Sequence, residues 1–362
     1  MAIMAIDHAR DFVMGMEIDP TDLATTTPPL FFTRWITHFC APVFVLLAGV
    51  SAYLYRTRHT ASELSRFLLT RGLWLVLLEL TVVRFGWLPD PTYRFSVLQV
   101  IWALGASMVL MAAITRLPVI AVGALGAAMI VLHDTLDGVQ AQALGGASWL
   151  WTLLHSPGLL EPVQGHRLYV AYALVPWVGV MAAGYALGAV MTRPREERRR
   201  LLVWLGAGVS VGFVVLRGIN VYGDPHPWEP QRDAITTLMA FLNCEKYPPS
   251  LAYLAMTLGP ALLALAALEG VAEHRLARPL SVLGGVPLFF YVAHLYVLHY
   301  PTMGLALWLN PGGEHGFMGP NPALPLWGVY AIWAIGMLVL YPACAWFAGV
   351  KERRRDWWLS YL

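Results

Sequence analysis

The chain has 362 residues, of which 58% are hydrophobic and only 13% charged, and its net charge is +2. Soluble domains carry roughly 25% charged residues, so a water-facing globular surface is excluded, and so small a net charge excludes a nucleic-acid-binding face. The apolar content also excludes disorder, and long solid apolar runs exclude a transmembrane barrel with its alternating ten-residue segments.

What remains is an all-α polytopic membrane protein. A helix needs about 20 apolar residues to cross the hydrocarbon core. The sequence predicts about ten spans, near residues 2–17, 38–55, 68–87, 97–115, 117–133, 168–191, 200–217, 250–269, 281–301 and 325–349, as a single transmembrane domain over 1–362. Arg116-Leu117-Pro118 makes a tight turn between the fourth and fifth. The stretch 147–155 is too short to cross and reads as a half-buried or interfacial helix.

Lys and Arg favour cytoplasmic loops. Arg56, Arg58, Arg66 and Arg71, then Arg116, then Arg193, Arg195, Arg198, Arg199 and Arg200, then Arg275 and Arg278, then Lys351, Arg353, Arg354 and Arg355 all fall on one side when ten spans alternate. Those residues make up 16 of the 24 basic side chains. Both termini are therefore expected in the cytoplasm. Residues 134–167, 218–249 and 302–324 form long outer loops rich in Pro, Gly, Trp and His, and long structured loops carry function more often than short connectors do. The first span begins almost at Met1 and shows no signal-peptide pattern, so it is expected to be a short helix or the remainder of a longer start.

Ionisable groups inside membrane helices are costly and are either paired or functional. In Asp7-His8-Ala9-Arg10-Asp11, Asp7 and Asp11 share a helix face and Arg10 lies within reach of Asp7. One reading is a charge-neutral cap at the membrane surface. The other is a histidine base or acyl acceptor, His8, oriented by a carboxylate. Arg34-Trp35-Ile36-Thr37-His38 enters the second span, where His38 has the same two readings, packing or chemistry, and Gly49 suits close helix contact. Glu79 and Arg84 pair poorly with each other at a spacing of five and are expected to find partners on other helices, such as Arg10 or Asp11. His294 and His299 have the same unfavourable spacing for a shared ligand, so no metal is expected. His294 is deep and needs a hydrogen-bond partner, whereas His299 reads as a snorkelling interfacial residue. Arg217 to Trp228, containing Asn220 and Asp224, and Lys246-Tyr247-Pro248-Pro249-Ser250 complete the polar outer segments. Lys246 is one of only two lysines, against 22 arginines, and reads either as an interfacial anchor or as a point charge for a phosphate or carboxylate. Cys40, Cys244 and Cys344 have no pairing or metal-ligand spacing.

Several of these segments together resemble a known family. Ala5-Ile6-Asp7-His8-Ala9-Arg10-Asp11, the Ala41-Pro42 to Gly49 run, Tyr172-Ala173-Leu174-Val175-Pro176-Trp177, Tyr222-Gly223-Asp224-Pro225, Lys246-Tyr247-Pro248-Pro249-Ser250-Leu251 and Gly285-Val286-Pro287 leading to His294 are similar, in order, to the transmembrane acyltransferases related to heparan-α-glucosaminide N-acetyltransferase. The resemblance implies transfer of an acetyl or other acyl group from cytoplasmic acyl-CoA, as co-substrate, to an amino sugar, glycan or amine on the outer face of a bacterial inner membrane. It places His8 or His38, held by Asp7 or Asp11, as base or acyl carrier. Arg71 would meet the phosphates of the acyl-CoA. Arg34, Asn220 and Lys246, with Asp224 and His294, would bind substrate or stabilise the oxyanion. The partners implied are the lipid bilayer, acyl-CoA and the outer acceptor, with no nucleic acid and with a homo-oligomer compatible. The family's functional histidine between the first two spans has no counterpart between His8 and His38, which flank that position. The usual Leu-Asp-x-x-Arg-Gly opening is not found, which adds to the expectation of a longer start. The rival reading is a transporter or exporter of a small polar solute lined by the same residues, disfavoured by the lack of internal repeats.

Overall fold

The computed structural model describes all residues except 16, 272–273, 275–276, 312–315, 355, 357 and 360–362. Arg275 and Arg355, counted above for orientation, lie outside the described residues. Helix dominates. Among the described residues, six helices are long and apolar enough to cross a membrane: Pro28–Arg56, Val119–Leu136, Leu174–Met191, Arg195–Ile219, Leu251–Leu268 and Leu326–Arg353. A seventh results if Arg278–Gly285 and Pro287–Leu309, bent by 92°, count as one. The remaining expected spans fall short for identifiable reasons. Ala2–Met14 has 13 residues and Val100–Ile114 has 15. Ala61–Leu78, followed by Glu79–Val83 and Arg84–Trp87, is long but carries Glu63, Arg66, Arg71, Glu79 and Arg84.

Large apolar side chains cover the outside of these helices. Trp204 is 68% exposed and Leu338 75%. On a soluble protein such faces would be sticky patches; here they are lipid-facing surface, because hydrocarbon demands only that backbone polar groups be satisfied within the helix.

The chain forms two compact units. One comprises Ala41–Leu80 and Tyr93–Glu269. In it, the helices Cys40–Arg56 and Leu174–Met191 touch backbone to backbone: a Cβ on Gly49 would run into the Met181 carbonyl, and one on Gly184 into that of Leu46. Small residues at such crossings are what permit van der Waals contact in lipid. The Val100–Ile114 helix has no side-chain cap of its own. The Glu79 carboxylate accepts from the backbone N–H of Gln99 at 3.2 Å and of Trp102 at 2.9 Å. A buried carboxylate thereby satisfies orphan donors at the positive end of a helix.

A small sheet corrects the expectation of an all-helical chain. Phe95–Leu98 pairs in parallel with His166–Val170, which pairs antiparallel with Gly158–Val163. Gln164-Gly165 closes the hairpin with Gly165 at φ +77°, a conformation open to glycine. Residues 97–98 and 168–170 are therefore strand, and the helix expected from 168 starts at Leu174. The segment 147–155 does contain a short helix, Ser148–Leu154.

The other unit comprises Met1–Cys40, Thr81–Thr92 and Gly270–Leu362. Ala2–Met14 packs against Pro287–Leu309 and Leu326–Arg353. The span expected over 281–301 is not one straight helix: Val286 adopts φ −130°, ψ 53°, because a residue before proline is pushed out of the helical region. Pro287–Leu309 then repairs the backbone around a wide π turn. Tyr296 Oη donates to the Val82 carbonyl at 2.6 Å, Tyr300 Oη to Phe85 at 3.0 Å and His299 Nδ1 to Gly86 at 2.8 Å. His299 is thus buried and hydrogen-bonded inward, with its ring stacked on Phe12 at 4.2 Å, not snorkelling. Arg84 donates to the carbonyls of Leu88 and Asp90 and pairs with the Asp90 carboxylate, so it closes its own helix end and needs neither Arg10 nor Asp11 for that task.

Candidate active site

The Ala2–Met14 helix places Asp7, Arg10 and Asp11 on neighbouring turns, and Pro28–Thr37 supplies Arg34. Arg10 Nη2 donates to Asp7 Oδ1 at 3.2 Å and to Asp11 Oδ1 at 2.6 Å, while Arg34 pairs with Asp7 Oδ2. Two acids and two guanidinium groups make a buried, formally neutral network. Asp7, expected to orient His8, holds two arginines. Arg34 acts there as a carboxylate partner. His38 is buried one turn beyond Arg34, at the end of the same helix.

His8 is instead held by His294. Its Nδ1 lies 2.6 Å from His294 Nε2, and the two rings are nearly coplanar, 21° apart, with centroids at 4.8 Å. The network assigns the hydrogens. His294 Nδ1 faces the Phe290 carbonyl at 3.1 Å. A carbonyl only accepts, so His294 Nδ1 carries the hydrogen. In the neutral ring His294 Nε2 is then the acceptor, and the hydrogen between the rings sits on His8 Nδ1. The neutral His8 ring is left with its lone pair on Nε2. Trp87 stands edge-on to His8 at 4.7 Å and Tyr291 at 6.2 Å. Trp87, Tyr291 and Phe290 were not singled out from sequence.

The remaining candidates belong to the larger unit. Arg71 is half-buried, its guanidinium 5.8 Å from the centre of the Phe67 ring one turn away. Asn220 adopts the left-handed conformation, φ 57°, ending the Arg195–Ile219 helix. Its side-chain amide donates to the Trp228 carbonyl at 2.8 Å and accepts from the Trp228 N–H at 3.1 Å. Both ends of this amide therefore brace a loop. Asp224 does similar work. It accepts from the Glu245 N–H at 2.9 Å, Ser250 Oγ at 2.8 Å and the His226 N–H at 3.0 Å, and faces Arg217 at 3.6 Å. Cys244, in the same loop, has its thiol pKa pushed up by burial. Lys246 is nine-tenths buried, with Nζ 5.9 Å from the Tyr172 ring centre and 5.1 Å from that of Tyr247.

Sequence reasoning did not single out His133. Its Nδ1 faces the carbonyls of Met129 and Ile130 at 3.1 and 3.0 Å. Its Nε2 faces the Pro249 carbonyl at 2.9 Å and Asp134 Oδ1 at 2.8 Å. Carbonyls face both ring nitrogens, so the Asp134 carboxyl and the ring share the hydrogen between them. Asp134 also accepts from the Leu251 N–H at 3.1 Å, fixing the start of the Leu251–Leu268 helix. Beside it, burial raises the Tyr222 phenol pKa, with the Asp134 and Asp137 carboxylates adding to the effect. Among the described residues no group of three His, Cys, Asp or Glu side chains is arranged to hold a metal ion.

Comparison with known families gives a match. The family described as heparan-alpha-glucosaminide N-acetyltransferase, catalytic, matches residues 2–219. No match is found among curated proteins. The matched stretch includes Asp7, His8, Asp11, Arg34, His38 and Arg71 and stops before Asn220, Asp224, Lys246 and His294. Matched over more than half its length, the chain belongs to the heparan-α-glucosaminide N-acetyltransferase catalytic family.

Proposed function

We propose that this chain is a membrane acetyltransferase that uses acyl-CoA as donor and an amine, such as that of an amino sugar, as acceptor, with His8 as the general base. The observation that carries the reading is the hydrogen-bond relay from the Phe290 carbonyl through His294 to His8, which leaves the lone pair of His8 on Nε2. A base so oriented contributes typically 10²–10⁴-fold to a proton-transfer step. The acceptor nitrogen attacks the thioester carbonyl, the C–N bond forms and the C–S bond breaks. His8 Nε2 takes the proton from the attacking amine and returns it to the departing CoA thiolate. Arg71 is our candidate for the CoA phosphates, since a guanidinium offers paired donors to phosphate oxygens.

We further propose ten crossings with both termini in the cytoplasm and the acceptor on the opposite face of a bacterial inner membrane. The distribution of arginine among the loops supports that orientation. The test is acetyl transfer from radiolabelled acetyl-CoA to glucosamine by the reconstituted protein. The reading expects transfer by the wild type and its loss in His8→Ala. Undiminished transfer by His8→Ala overturns the role of His8, and solute flux without any acetyl-CoA requirement would favour a transporter.

A further inference from the structure

The larger unit holds a lysine without an ion-pair partner among the described residues. Lys246 is nine-tenths buried, and among the described residues its ammonium has no carboxylate partner and no hydrogen-bond acceptor. The acids nearby in sequence are committed elsewhere. Glu245 Oε1 accepts from the backbone N–H of Lys246 at 2.9 Å and of Tyr247 at 2.7 Å, and Glu245 Oε2 faces His226 at 3.3 Å. Asp224 is occupied by Ser250, Glu245, His226 and Arg217. The ammonium meets only the faces of Tyr172 and Tyr247. Such contacts stabilise the positive charge and leave its three N–H donors to solvent or to a ligand that reaches them.

The loop around the lysine is braced on several sides. Asp224 ties Ser250 to Glu245, and His133 donates to the Pro249 carbonyl. Lys246 is therefore held in place, in contrast to the floppy stem of a surface lysine. Elsewhere this chain meets buried carboxylates with arginine, in Arg10–Asp7, Arg34–Asp7 and Arg217–Asp224. A guanidinium fork suits a planar carboxylate, whereas an ammonium is a compact point charge suited to a tetrahedral phosphate.

We propose that Lys246, walled by Tyr172 and Tyr247, is a binding site for a phosphate-bearing ligand, with the ammonium receiving the phosphate oxygens. The phosphate belongs to a soluble phosphorylated compound or to a phospholipid headgroup. This assignment does not rest on the role of His8.

Lys246 and Lys351 are the only lysines, so amine labelling tests the site directly. The full chain in dodecyl maltoside micelles is pulsed with N-acetoxysuccinimide, and the Lys246 to Lys351 labelling ratio is read by mass spectrometry. Glucose 6-phosphate is added in one arm, phosphatidylglycerol in a second and neutral glucose in a third. At a ligand concentration about ten times its Kd, labelling of Lys246 is expected to fall about tenfold, with Lys351 unaffected and glucose without effect. Protection by the sugar phosphate alone identifies a soluble ligand; protection by phosphatidylglycerol alone identifies a headgroup. Equilibrium dialysis of the protecting compound against Lys246→Gln is expected to show binding weakened by about tenfold or more, with elution volume and melting temperature unchanged. Equal protection by glucose, no saturable binding of either phosphate compound, or unchanged affinity in Lys246→Gln each overturns the assignment.

Discussion

His8 Nδ1 donates its hydrogen to His294 Nε2 across 2.6 Å, and the direction of that bond is set by a third group, the Phe290 carbonyl on the far side of His294. Two residues 286 positions apart are thereby made into one functional unit. If His8 is the base, His294 is a positioning residue that selects its tautomer. His294→Ala should then lower kcat for acetyl transfer by about 10²-fold, inside the range for one proton-transfer catalyst, while KM for acetyl-CoA stays within about twofold. The variant lacking both histidines should be no slower than His8→Ala, because residues acting as a unit are not additive. Independent, multiplying losses would show that the relay is not the operative arrangement. A structural role alone would lower the yield of folded protein and leave kcat per folded molecule unchanged.

The Asp7 carboxylate answers two arginines at once, Arg10 fully buried and Arg34 partly so. Replacing it by Asn leaves Arg34 without its anion, and breaking a buried pair from one side costs roughly 3–5 kcal/mol. We expect Asp7→Asn to lower the melting temperature of the purified protein markedly. The variant Asp7→Asn with Arg34→Met should recover part of the loss, since the stranded charge is removed as well. Thermal unfolding of the three proteins checks this, and a double variant no more stable than Asp7→Asn would show that the pair is not the source of the loss.

Glu79 gives a different signature, because its partners are backbone groups. Glu79→Leu strands the N–H groups of Gln99 and Trp102, at about 1–3 kcal/mol for each buried donor. Glu79→Gln retains one acceptor oxygen and should lose roughly half as much. Hydrogen exchange localises the effect: protection of the Trp102 amide should fall in both variants, and further in Glu79→Leu. Unchanged protection in Glu79→Leu would mean that water caps the Val100–Ile114 helix equally well.

These cases show where the sequence was readable. Membrane character followed from long apolar runs and few charges, because lipid imposes its requirement on every exposed residue of a span. The pairing of Arg10 with Asp7 was legible because helix geometry alone brings positions three apart together. Glu79 was recognisable as a residue needing a partner on another element. That partner is a pair of backbone N–H groups, which no residue type advertises. The His8–His294 contact depends on packing between the two ends of the chain, and no local period encodes it. Lys246 stood out by rarity, while its tyrosine walls and its lack of a counterion belong to the folded loop. The hairpin was hidden because its strand His166–Val170 runs on into the apolar helix that follows.

The number of crossings can be decided at two arginines. The six described helices that are both long and apolar enough to cross would, if they alone crossed, leave residues 57 to 118 on one side of the membrane. With ten crossings, Ala61–Trp87 and Val100–Ile114 each pass through, which puts Arg94 on the outer face and Thr57 and Arg116 inside. All three side chains are exposed. Single cysteines at these positions, in a chain whose Cys40, Cys244 and Cys344 have been replaced, can be probed in intact cells with a membrane-impermeant maleimide. Cysteine at 94 should be labelled, and cysteines at 57 and 116 should react only after the membrane is opened. If position 94 stays silent together with the other two, the charged Ala61–Trp87 helix does not cross, and the number of crossings drops to that of the longer helices. Drawing Arg84 and Glu79 into the bilayer is costly, and the first outcome is favoured because that cost is offset within the protein, for Glu79 by two backbone donors and for Arg84 by the carbonyls of Leu88 and Asp90.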